Sequence, residues 1–175
     1  MTEPDSTEPD PIEPDPGGQS PEIGEVAHGD RSGGPHHQLA AALARMRWVE
    51  EPGRFVLVGV RGAPAPEDLL LLERAPAQLV REEGETTLLV RAEALPELQE
   101  RHPGLRHEGP LAWIRFEAPM AWDLVGFLAH VSGALAAAEV PIGVVCSFDR
   151  DHLFVAEAWL ERVRAVLDGL FSRPD

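Results

Sequence analysis

Two carboxylates flank a guanidinium in the stretch VVCSFDRDHLFV, Val144 to Val155. A tight turn between two strands needs only residues such as Gly and Asn. Asp149-Arg150-Asp151 therefore admits two readings: a solvated turn, or a pair of acids facing an ammonium or guanidinium. Earlier in the chain, Asp123-Leu124-Val125-Gly126, followed by Phe127, stands where an apolar strand feeds a long helix. A helix start exposes free amides and a partial positive charge, and a glycine lets a small molecule reach the backbone. Asp123 has a second reading as the cap of that helix. Ser147, at a strand end, either bonds a carboxylate or caps the turn; Phe148 either walls a pocket or belongs to the core. Amide donors at one end and carboxylates at the other are what a zwitterion requires. A dissociation constant of ~10–100 μM corresponds to about −5.5 to −7 kcal/mol. Two or three charge-assisted hydrogen bonds at roughly 1.5–3 kcal/mol each reach that range before ordering costs.

Other chemistry is not signalled. No nucleophile–base pairing, phosphate-binding loop or metal-ligand spacing is present, so no catalytic residue, metal or cofactor is expected. His152 adjoins Asp151 but has no third partner at a fixed spacing, and Cys146 reads as a small buried hydrophobe. The pair His36-His37 lies in a Gly/Pro-rich stretch and reads as solvated. Of the tryptophans, Trp48, Trp113 and Trp159 read as core, whereas Trp122 stands beside the candidate loop and can shield a ligand.

The chain has 175 residues with 30 acids and 15 bases, a net charge of −15, and every base is Arg. That balance argues against nucleic acid and against an anionic membrane surface as partners. A lone cysteine excludes an intrachain disulfide, and no stretch approaches the roughly 18 apolar residues of a spanning helix. A soluble, cytoplasmic protein is expected. Residues 1–38 repeat Glu-Pro-Asp three times and hold nine acids and one Arg, −8 of the total; the other 21 acids and 14 Arg leave −7 for 39–175. Proline, like charge and the shortage of apolar surface predict a disordered tail.

Two folded units are expected beyond it, 39–108 and 109–171. QLAAALARM opens with a short helical piece, Leu39 to Met46. RFVLVGV predicts a strand, APEDLLLLERA a helix with Pro66 at its start and Glu67 and Asp68 in its first turn. AQLVRE and TTLLVR form a hairpin around Gly84, and AEALPELQERH a helix, followed by a short strand over 105–108. The second half repeats the order. LAWIRFE predicts a strand over 111–117, and a helix follows with Leu124, Phe127, Leu128, Val131, Leu135 and Ala138 on one face. IGVVCS and HLFV are two short strands, and AEAWLERVRAVLDGLF is a final amphipathic helix. Two successive β-α-β-β-α patterns predict an α+β fold, each unit an antiparallel sheet with helices on one face.

The residues resemble the tandem ACT-domain proteins of the CASTOR-like kind, whose eukaryotic members sense arginine. EPGRFVLVGV resembles the family's Pro-Gly-Arg-aromatic opening strand, LVREEGETTLLVRAEALP its second and third strands, and HEGPLAWIRFEAP the start of its second unit. GFLAHVSGALAAAEVPIGVVCSFDRDHLFV carries the most specific part. Cys146, Ser147, Arg150 and His152 depart from the family pattern. The resemblance implies two ferredoxin-like βαββαβ units and a non-enzymatic regulatory module that binds a small amino acid at an interface between ACT units. On that reading Asp123, Leu124, Val125, Gly126, Phe127, Ser147, Phe148, Asp149 and Asp151 form the site. The chain then associates as a homodimer or acts on a regulated protein partner. The competing expectation is an interaction scaffold that has lost its ligand, with Arg150 neutralising Asp149 or Asp151.

Overall fold

The computed structural model describes residues 35–118 and 120–171; most of the acidic tail expectation lies outside them. Residues 35–38 were expected to be tail but begin helix α1, Pro35–Arg45. Strand β1, Trp48–Glu50, follows, and then β2, Phe55–Arg61. Helix α2, Pro66–Leu70, leads into a 3₁₀ turn and the hairpin of β3, Gln78–Glu82, and β4, Glu85–Arg91. Gly84 makes that hairpin at φ +78°, a conformation that costs glycine little. A 3₁₀ turn over Ala92–Ala94 runs into α3, Leu95–Arg101. The rest is β5, Arg106–Phe116; α4, Phe127–Ala137; β6, Gly143–Cys146; β7, Asp151–Ala156; and α5, Leu160–Leu170.

One antiparallel sheet in the order β3-β4-β2-β5-β7-β6 joins the two halves, and β1 also pairs with β5. The fold is thus α+β, with each half in the ferredoxin-like strand order. Where separate strands over 105–108 and 111–117 were expected, β5 is continuous. Its first part pairs with β2 and its last part with β7. Phe55 pairs with Leu111 but Leu57 with Glu108, so one extra residue bulges out of β5 at Gly109-Pro110. Pro110 has no N–H to give the ladder, so the bulge accommodates it without ending the strand.

Strand β1 was not expected. Trp48 pairs with Phe116 and Glu50 with Ile114, so the chain's first strand lies beside the end of β5, collinear with β2 along the same edge. It occupies the fourth-strand position of the second half, whose own sequence supplies only β5, β6 and β7. Met46 and Trp48 are buried with Ile114, Phe116, Val131, Leu135 and Val163, and Leu39 and Leu43 pack against the same cluster. Residues 39–50 therefore contribute to the second half's core, not to the first's. The first half buries Val56, Val58, Val60, Leu88 and Val90 against Ala94 and Leu98, the period-2 pattern of a sheet with one helix-covered face. On the other face Phe55, Leu89, Leu111, Trp113 and Val145 form a third cluster.

Candidate functional site

Local backbone chemistry places the loop before α4. The expected helix over Leu124 starts only at Phe127, because Gly126 sits at φ +96° and ψ −3° and stops it. This left-handed residue, and not Asp123, is the N-cap of α4, and no side-chain hydrogen bond caps the helix start. The first intrahelical bond runs from the His130 N–H to the Gly126 carbonyl at 2.9 Å. The N–H groups of Phe127, Leu128 and Ala129 therefore have no carbonyl within the helix to accept them. Behind the cap, the Phe127 side chain is buried against Phe116 and Phe171 in edge and stacked ring contacts. It belongs to the core; only its backbone borders the loop.

The turn between β6 and β7 is built by Ser147, whose N–H and hydroxyl both donate to the Arg150 carbonyl, at 2.8 and 3.0 Å. Asp149 lies within this turn, and its carbonyl accepts the Met120 N–H at 2.9 Å. One backbone bond thus joins the loop before α4 to the acidic turn. Asp151 begins β7 on the same side as Leu153 and Val155, which face the helix layer, so its carboxylate lies on the face of the sheet that α4 covers. Asp123 is exposed on the loop, and Leu124 is half-buried. Trp122, Val125 and Phe148 are exposed at 90%, 66% and 80%, three large apolar side chains on the two joined loops. Large apolar side chains left this exposed are a mark of interaction surfaces. Two grooves, about 640 Å³ beside β1 and α5 and about 460 Å³ beside α3, lie elsewhere and include none of these residues.

Three features went unseen in the sequence. Cys146, expected to be buried, is exposed. It pairs with Asp151 across the β6–β7 ladder, and the Asp151 carboxylate, accepting from the thiol, pushes the thiol up to about 11, helped by partial burial. His152, on the opposite face, is buried; its Nδ1 accepts the Trp113 indole N–H at 3.1 Å and its Nε2 lies 3.3 Å from the Ser147 hydroxyl. Burial and the Arg115 guanidinium lower its pKa against the opposing pull of Asp151 and Glu51. Asp68, read as a first-turn dipole residue, is fully buried. It accepts the Ala65 N–H at 2.7 Å, the Arg101 guanidinium at 2.5 Å and His102 Nε2 at 2.7 Å. Burial would raise its pKa, but those three bonds outweigh it and hold the carboxyl below its ordinary value. This cluster ties α2 to the end of α3. Only its partners' distance in the chain hid it; Asp at the third helical position was the available signal.

The strand order and helix layer define the class: an α+β fold of ferredoxin-like halves. A family model described as an ACT domain matches residues 107–168, the half that carries the loop and the turn. No curated protein matches the chain. Among solved structures, a protein from Agrobacterium tumefaciens is 21% identical with a TM-score of 0.61, over 74% of this chain and 92% of its own. A Vibrio cholerae protein of unknown function, described as a possible transport protein, is 23% identical with a TM-score of 0.60, over 78% and 98%. The ligand-free regulatory subunit of aspartate kinase from Thermus thermophilus is 11% identical with a TM-score of 0.52, over 71% and 97%. At these identities the likeness is one of fold. Among the described residues, no helix is long and apolar enough to cross a membrane and no group of three potential metal ligands is present.

Proposed function

We propose that the chain is a regulatory module that binds a small amino acid between the loop 120–126 and the turn 147–151, at an interface with another ACT unit. The observation that carries this reading is the Met120–Asp149 backbone bond, which ties the loop leading to an uncapped helix start to the turn that holds two aspartates. The free amides of Phe127 to Ala129 are donors for a carboxylate, and Asp149 and Asp151 are acceptors for an ammonium or guanidinium. The ACT-domain match over this half supports the class of ligand. The exposed Trp122, Val125 and Phe148 support a site completed by a second surface, since a ligand on one chain alone would stay in contact with water. A homodimer provides that surface, and the protein is cytoplasmic and non-enzymatic on this reading.

Isothermal titration of the full chain with each of the twenty amino acids tests the proposal. Binding by one or a few, weakened 10- to 150-fold by Asp151→Ala, is the expected result, from the loss of one charge-assisted bond worth about 1.5–3 kcal/mol. No heat from any of them at millimolar concentration, with the fold intact by circular dichroism, would overturn it in favour of a scaffold.

A further inference from the structure

Helix α1 is placed against the loop of the proposed site. The position a Cβ would take on Gly126 lies 3.2 Å from Leu39 Cδ2, so Leu39 rests directly on the residue that caps α4. Leu39 and Leu43, one turn apart, are the large apolar residues of α1 that pack on the second-half core, and both are only partly buried. Eleven-residue helices, even Ala-rich ones, are marginal in water without tertiary contacts. The C-terminal end of α1 is anchored differently: Met46 and Trp48 are buried, and β1 is laddered to β5. One end is thus fixed in the sheet, and the other is held through a contact on the turn that starts α4.

We propose that α1 is a detachable strap, hinged near Arg45–Arg47, whose docking through Leu39 orders the 120–126 loop. This is a regulatory device for the site proposed above and rests on that reading for its purpose. Because Gly126 has no side chain, Leu39 supplies the apolar surface against it; without that contact the turn loses a wall on one side. Coupling of this kind is reciprocal. A ligand that orders the loop therefore strengthens α1 docking, and a change in α1 alters the loop.

Amide hydrogen exchange of the ligand-free full chain, followed residue by residue by NMR, tests the strap independently of any ligand. The reporters are the hydrogen-bonded amides of Met120, Leu124 and His130. In the native protein, α1 amides are expected to exchange at least about tenfold faster than those of α5. Leu39→Ala should speed the three reporters by at least about threefold and leave β4 unchanged, while Leu39→Met restores them. Reporters unmoved by Leu39→Ala would overturn the proposal. So would α1 exchanging as slowly as α5, or β4 accelerating equally, which marks global loosening. Failure of the amino-acid titration alone leaves this result standing and removes only its purpose.

Discussion

Replacing Gly126 by Ala probes the backbone on which the candidate site depends. Gly126 adopts φ +96° and ψ −3°, where an L-residue's Cβ crowds the following carbonyl. The intrinsic cost of that conformation is about 1–2 kcal/mol. The new Cβ would also lie 3.2 Å from Leu39 Cδ2, close enough that Leu39 must yield by a few tenths of an ångström. Leu39 is partly exposed and can turn aside, so the conformational term dominates. A loss of about 1–2 kcal/mol lowers Tm by roughly 3–10 °C for a body of this size. Gly126→Asn should cost less, because Asn tolerates the left-handed region better than Ala. Gly133 provides a control of opposite sign on the same helix: it is exposed, in α4, and a Cβ there meets no other atom. Gly133→Ala should stabilise by about 0.5–1 kcal/mol. Differential scanning calorimetry of the three variants reads all of this. A Gly126→Ala protein as stable as the native one, or both alanines shifting Tm the same way, would refute the left-handed cap.

Two further expectations concern titrating groups. His152 is held neutral by burial and the nearby Arg115, so its folded pKa lies below the ordinary 6.5. Its contribution to stability is fully present above about 6.5 and is lost as pH falls through the lower folded value. Urea midpoints should therefore fall between pH 7 and 5 more steeply in the native protein than in His152→Asn; parallel slopes would count against the buried-imidazole assignment. Cys146, with its thiol pushed up to about 11 by Asp151, should react slowly with a disulfide reagent at pH 8. Asp151→Asn, which removes the charge, should accelerate that reaction more than about tenfold; equal rates would mean that the carboxylate does not face the thiol.

Much of the fold was legible because it rests on contacts between near neighbours in the chain. The β-branched apolar run through Val56, Val58 and Val60 marked β2, Gly84 the hairpin, and Val163 with Leu167 the buried stripe of α5. The candidate loop was legible as far as a glycine and free amides before an apolar helix, although the helix was expected to begin earlier. Leu124, Phe127 and Leu128 continue its period, and only the backbone angle of Gly126 breaks it. The union of loop and turn was not legible: the Met120–Asp149 bond uses backbone atoms that any residues would supply.

What the sequence by itself determined is the α+β class, the repeated order of elements and the residue types available for binding a zwitterion, since these follow from local propensity, apolar period and charge. Tertiary structure alone decided that Trp48–Glu50 is a strand, that β5 runs unbroken through Pro110, that Asp68 is buried as an ion and that Leu39 rests on Gly126. Three residues of Trp-Val-Glu carry no period, and they become a strand because the end of β5 offers an unpaired edge. Asp68 can stay charged without water only because Arg101 and His102, more than thirty residues away, arrive to hydrogen-bond it, with the Arg101 guanidinium as its counter-charge. In each case the deciding free energy lies in a partner distant along the chain, and chain order does not encode which distant partner arrives.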